Sequence, residues 1–188
     1  MANREFRQSA APEVRADGDS VTVEGYAAVF DQETNVGGMF VEVIKRGAFS
    51  DAVGRDDVVF LINHEGLPLA RTRAGTLDLT EDSHGLKVRT SLDTSDPDVA
   101  RIVPKMRRGD LDKMSFAFRA DPGGQDWDDS GDIPKRTIRK ASLFDVSIVT
   151  DPQYSGTEIG LRALKDHLAA KQEDLQAWRL RQKAKFLR

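Results

Sequence analysis

The chain has 188 residues, 39% of them hydrophobic, with 28 basic and 31 acidic side chains and a net charge of −3, enough for one domain with a sizeable core and an appendage. It contains no cysteine, which removes disulfides, thiol nucleophiles and thiolate metal sites together and fits a reducing compartment. No apolar run approaches the ~20 residues of a membrane span, the charged start has no signal-peptide pattern, and the near-balanced charge sets up no overall field for nucleic acid, so a soluble intracellular protein is expected.

Residues 1–20 are polar and end in an Asp17-Gly18-Asp19 turn signal, after which residues 21–30 read as a long strand, the second arm of a hairpin. Asn35 to Gly38 is a loop, residues 39–44 a second extended run, and Ala48 to Val53 a short helical turn. Val58 to Ile62 is continuously apolar, as a strand covered on both faces should be, and runs straight into Asn63-His64. A Gly66/Pro68 loop is expected next, then two alternating runs, 76–80 and 86–92, joined by the turn Glu81-Asp82-Ser83-His84-Gly85, where His84 is most simply a solvated turn residue.

Residues 96–108 form the clearest helix, with Ser95 as cap, Pro97 in the first turn and Val99, Ile102, Val103 and Met106 in one stripe. Pro104 removes a donor in mid-helix and predicts a kink there or a break near Val103. The chain then turns into Leu111 to Arg119. Its period of two sends Met114, Phe116 and Phe118 to the core and leaves Lys113, Ser115, Ala117 and Arg119 on a small, polar face against which a peptide could lie. Asp121 to Pro134 is rich in Asp and Gly and reads as a long hairpin tip; its spacing does not match a calcium-binding EF-hand loop.

Residues 141–149 alternate cleanly and place Asp145 within an apolar strand, where a carboxylate is costly unless something pairs with it. From Thr157 the composition shifts to Leu, Ala, Lys, Glu and Gln. Leu161, Leu164, Leu168, Leu175 and Trp178 follow a three/four alternation with Lys171 in the missing slot, which predicts a long amphipathic helix. The division expected is a domain over residues 1–156 and a C-terminal helix over 157–188.

A serine hydroxyl becomes a useful nucleophile when an imidazole takes its proton, and the imidazole works best when a third polar group holds its tautomer. His64 at a strand end, Ser115 on a small-residue face and Asp145 in need of a partner supply base, nucleophile and orienting carboxylate. The same residue types admit other readings. Lys113 and Ser115 share a strand face and could form a serine/lysine dyad, although that lysine would need burial to lower its pKa. A non-enzymatic β-rich module, with Ser115 packed and Asp145 paired to an arginine, is a rival from a different class. A metal hydrolase is remote, with three scattered histidines and no His-Glu-x-x-His, and no cofactor is expected.

Six segments in order narrow the choice: residues 24–30, 43–49, 63–65, 81–86, 113–118 and 143–152. Together they resemble the phage prohead (head maturation) proteases of the HK97 type, distant relatives of the herpesvirus assemblins, over about Glu24 to Thr157. The resemblance implies a serine endopeptidase with His64 as base and Ser115 as nucleophile. Where the family usually shows Glu-Val-Ser, this chain has Asp145-Val146-Ser147, a carboxylate one methylene shorter in the third role. Neither His84 nor His167 falls where the assemblins place a second histidine. The implied fold is α+β: a closed or nearly closed, mostly antiparallel, barrel-like sheet with peripheral helices. The implied partners are the major capsid protein with its scaffolding segment and the protease itself as substrate, with self-association open, inside the assembling procapsid in the host cytoplasm. The terminal helix would dock to scaffold or capsid subunits or be removed by self-cleavage.

Overall fold

The computed structural model describes residues 4–17, 19–150 and 155–186. In chain order the strands are β1 (Glu5–Ser9), β2 (Glu13–Asp17), β3 (Ser20–Val29), β4 (Glu33–Val36) and β5 (Phe40–Ile44), followed by helix α1 (Ser50–Arg55). Next come β6 (Val59–Ile62), β7 (Glu65–Arg71), β8 (Leu77–Glu81) and β9 (Gly85–Asp93), then helix α2 (Pro97–Arg108). The last elements are β10 (Lys113–Ala120), β11 (Gln125–Asp128), β12 (Lys135–Ile138), β13 (Ala141–Val149) and helix α3 (Ser155–Phe186).

Among the described residues the strands form three separate sheets and no closed barrel, which corrects the expected closure. The largest runs β1-β10-β13-β6-β7; the others run β11-β12-β5-β4 and β2-β3-β9-β8. Two pairs are parallel, β13 with β6 and β12 with β5. One edge of the five-stranded sheet is β7, where Pro68 has no N–H for a further strand. That explains a second difference. Gly66 and Pro68 read as a loop in the sequence, yet they lie in a strand, because an edge position tolerates both.

Met114, Phe116 and Phe118 of β10 enter the core as their alternation requires: Phe116 stacks on Phe118 with ring centroids 5.2 Å apart and meets Phe49 edge-on at 5.6 Å. Val21, Val23, Leu86, Val88 and Leu92 of the β2-β3-β9-β8 sheet join the same cluster, as do Val99, Ile102, Val103 and Met106 of α2. Strand β3 passes so close to β10 that a Cβ on Gly25 would lie 2.9 Å from Met114 Sδ and 3.0 Å from Pro12 Cα. Helix α2 is continuous through Pro104, and its cap is Asp96, whose carboxylate accepts the Asp98 N–H at 2.8 Å, rather than Ser95. The acidic tract expected to be only a hairpin tip contributes β11, held against β12 with Trp127 edge-on to Phe40.

Strand β1 went unrecognised in the sequence because its inward face is charged. Glu5 and Arg7 are buried beside Glu42 and Arg136 in a four-residue ion network: Arg7 grips Glu42 through Nε at 2.5 Å and Nη2 at 2.8 Å, and Arg136 donates to Glu42 at 3.0 Å and to both oxygens of Glu5. Desolvation alone would depress the Arg136 pKa, but its bonds to Glu5 and Glu42 leave it raised, so the buried guanidinium keeps its charge.

Helix α3 docks with its small-residue face. Ala163, His167 and Ala170 border a cleft shared with Trp127 and Arg136; His167 stacks on Trp127 at 4.6 Å, and both it and Lys171 reach Asp129, at 3.0 and 2.6 Å. At about 100° per residue, Leu161, Leu168 and Leu175 fall on a different face, and all three are exposed together with Trp178.

Candidate active site

The five-stranded sheet presents its second face through Phe6 and Gln8 of β1, Ser115 and Ala117 of β10, and Asp145 and Ser147 of β13. These share a side because the register pairs Phe6 with Ala117, Gln8 with Ser115, Ser115 with Ser147 and Ala117 with Asp145. The fourth contributor arrives from β6, which runs parallel to β13 and ends at Ile62 opposite Ile148. The β6–β7 hairpin turns on two residues, Asn63 and His64, with φ of 51° and 62°. Positive φ at both positions defines a tight I′-type hairpin turn, in which Gly usually follows Asn. His64 occupies the Gly position and accepts the left-handed backbone at a cost of about 1–2 kcal/mol.

The turn is tied to the strand it faces. Asn63 N–H donates to Ile148 O at 3.0 Å, and Asn63 Oδ1 accepts the Thr150 N–H, also at 3.0 Å. Phe6 packs on the His64 ring with centroids 4.3 Å apart at 60°. The imidazole is thus fixed from β1, from the turn and from β13.

His64 Nε2 lies 2.7 Å from Ser115 Oγ, and its Nδ1 lies 2.5 Å from Asp145 Oδ1. With the proton on Nδ1 donated to the carboxylate, Nε2 is left as acceptor for the Ser115 hydroxyl, the tautomer a base must have to deprotonate serine. The shorter Asp145 side chain still closes the distance, because β13 lies next to β6 and the turn folds the imidazole back over the Ser115–Ser147 pair. Ser147 Oγ donates to Asp145 Oδ1 at 2.9 Å and stands 3.2 Å from His64 Nδ1. Asp145, Ser147 and Ser115 are 2%, 0% and 3% exposed, and the His64 side chain 13%. Such an arrangement can move a proton from a hydroxyl to an imidazole and stabilise the resulting imidazolium out of bulk water.

The three residues singled out in the sequence, His64, Ser115 and Asp145, are therefore brought together, although the face is not the open one expected: Ser115 sits in an interior strand between β1 and β13 and is covered. Asp145 pairs with His64 rather than with an arginine. The other histidines lie elsewhere, His84 edge-on to Tyr26 and His167 on Trp127. Sequence reasoning missed Ser147, Asn63 and Phe6. The Asn-His dipeptide, where a hairpin favours Asn-Gly, and the spacing of two between Asp145 and Ser147 on one strand carried the usable signals. Among the described residues no group of carboxylates and histidines is arranged to hold a metal ion.

The chain is also similar to known proteins. The bacteriophage T4 capsid assembly protease shares the fold, with a TM-score of 0.52 at 10% identity over 80% of this chain and 100% of that one. The prohead protease of Enterobacteria phage HK97 is 30% identical over 155 residues, 79% of this chain, which spans 62% of that relative's length. Residues 9–172 match the family of Caudovirus prohead serine proteases, a span that takes in the hairpin, both central strands and the start of the terminal helix, and the chain belongs to that family.

Proposed function

We propose that this chain is a serine endopeptidase in which Ser115 is the nucleophile, His64 the general base and acid, and Asp145 the group that orients the imidazole. The observation that carries the reading is the unbroken path from Ser115 Oγ through both ring nitrogens of His64 to Asp145, at 2.7 and 2.5 Å. Ser115 Oγ attacks the peptide carbonyl carbon as its proton passes to Nε2. The imidazolium keeps its Nδ1 proton, hydrogen-bonded to Asp145, then returns the Nε2 proton to the leaving amine. Water repeats the sequence on the acyl-enzyme and releases the acid.

By analogy with the family, the substrates are the scaffolding segment of the major capsid protein and this chain itself, cleaved within the assembling procapsid in the host cytoplasm. Ser115 is only 3% exposed, so a substrate peptide reaches it by displacing neighbouring side chains. Helix α3, with its exposed leucines, is suited to docking on scaffold or capsid subunits or to removal by self-cleavage. Co-expression with the phage's major capsid protein tests the function. Wild type should shorten the capsid protein and Ser115→Ala should leave it intact; equal shortening by both would overturn the proposal.

A further inference from the structure

We infer that Ser147 is a positioning residue of this site, which locks the Asp145 carboxylate and shares the Nδ1 proton of His64. The inference rests on the catalytic reading just proposed and extends it to a fourth side chain. Asp145 and Ser147 are two apart on β13, so the strand's own geometry points both side chains to the same face. Ser147 has one hydroxyl proton, and it goes to Asp145 Oδ1 at 2.9 Å. That leaves its lone pairs free to face His64 Nδ1 at 3.2 Å, so Nδ1–H is directed between a near acceptor at 2.5 Å and a farther one.

Three consequences follow from this triangle. The hydroxyl fixes the rotation of the carboxylate about its terminal bond, which is otherwise soft. It gives Asp145 Oδ1 a second donor, so the carboxylate oxygen that faces the imidazole is held by two hydrogen bonds rather than one. It also offers the imidazolium a second oxygen once charge develops on the ring. Ser147 is 0% exposed and stands directly opposite Ser115 in the β10–β13 ladder, so water has no ready access to replace it.

Ser147→Ala, Ser147→Cys and Ser147→Thr test the inference, with His64→Ala as a reference. The first readout is phosphonylation of Ser115 by a fluorophosphonate, with loss of fluoride, and its acylation by p-nitrophenyl acetate, with loss of p-nitrophenolate. The second is the downfield NMR resonance of the His64 Nδ1 proton. Loss of a hydrogen bond to a charged group should slow acylation by about tenfold to a hundredfold in the Ala and Cys variants, with KM for the ester little changed. The Nδ1 resonance should move upfield or broaden in both, and Thr, which keeps the hydroxyl, should restore rate and resonance. Wild-type acylation in Ser147→Ala while His64→Ala is inactive would overturn this inference alone. Reduced melting temperature with an unchanged Nδ1 resonance and an unchanged acylation rate would also overturn it, as a merely structural role. Undiminished acylation in His64→Ala would overturn the catalytic reading beneath it.

Discussion

Replacing Arg136 with Met should be among the most damaging single changes in the protein, although Arg136 lies outside the candidate active site. The side chain is 2% exposed and, with Arg7, balances the carboxylates of Glu5 and Glu42, themselves 5% and 1% exposed. Its removal leaves one net negative charge buried without a partner, a defect that costs about 3–5 kcal/mol. Against a typical domain stability of about 5–15 kcal/mol that is a large fraction, equivalent to a fall of roughly 6–20 °C in Tm for a chain of this size. Urea unfolding of the single variant and of Glu5→Leu/Arg136→Met checks the reasoning. The double variant removes one charge of each sign and keeps the Arg7–Glu42 pair at 2.5 and 2.8 Å, so it should recover much of the loss. A cost below about 1 kcal/mol for Arg136→Met, or strict additivity in the double variant, would refute it. Activity should fall alongside stability, because β1 carries Glu5 and Arg7 on one face and Phe6, against His64, on the other.

The strained turn gives a second expectation. His64→Gly and His64→Ala should both be inactive, but Gly should be the more stable by about 1 kcal/mol in chemical unfolding, because only the Ala variant keeps a Cβ at a φ of 62°. At the start of α1, the Phe49 N–H donates to Glu81 Oε1 at 2.8 Å, and partial burial holds that carboxyl above the ordinary range despite this bond. Glu81→Gln should therefore leave Tm nearly unchanged, whereas Glu81→Ala, which strands the N–H, should cost about 1–3 kcal/mol. Asp82 should titrate below the ordinary carboxylate range in NMR, held there first by the Tyr26 hydroxyl at 2.6 Å and then by the N–H groups of His84 and Gly85. A folded-state pKa below the unfolded one contributes stability above the unfolded value, which is lost as pH falls through the folded value.

What the sequence revealed depended on how uniform each strand's faces were. Strands β10 and β13 stood out because Met114, Phe116 and Phe118, and then Val146 and Ile148, alternate with Ser115, Ala117, Asp145 and Ser147, and the same alternation put Ser115 and Asp145 on one face of the sheet; the register shift beyond Ala117 breaks the alternation expected at Phe144 and sends Leu143 into the core instead. Strand β1 was hidden because Glu5 and Arg7 point inward and are neutralised by Glu42 and Arg136, distant in the chain. Strand β7 was masked by Gly66 and Pro68, tolerated only because nothing pairs beyond it. Closure was expected of one sheet, yet the strands divide among three, an outcome fixed by pairings of distant segments such as β5 with β12 that no local pattern encodes. Ser147 was legible as a neighbour of Asp145 on its face, but its role required knowing that His64 would fold back above it.

Mapping the adduct of a fluorophosphonate on the intact protein by mass spectrometry tests the central claim most directly, with His64→Ala and Ser115→Ala run alongside wild type. The expected result is a single adduct on Ser115, absent in Ser115→Ala and formed about 10²–10⁴-fold more slowly in a folded His64→Ala. An adduct on another residue, or equally fast labelling without the imidazole, would contradict it.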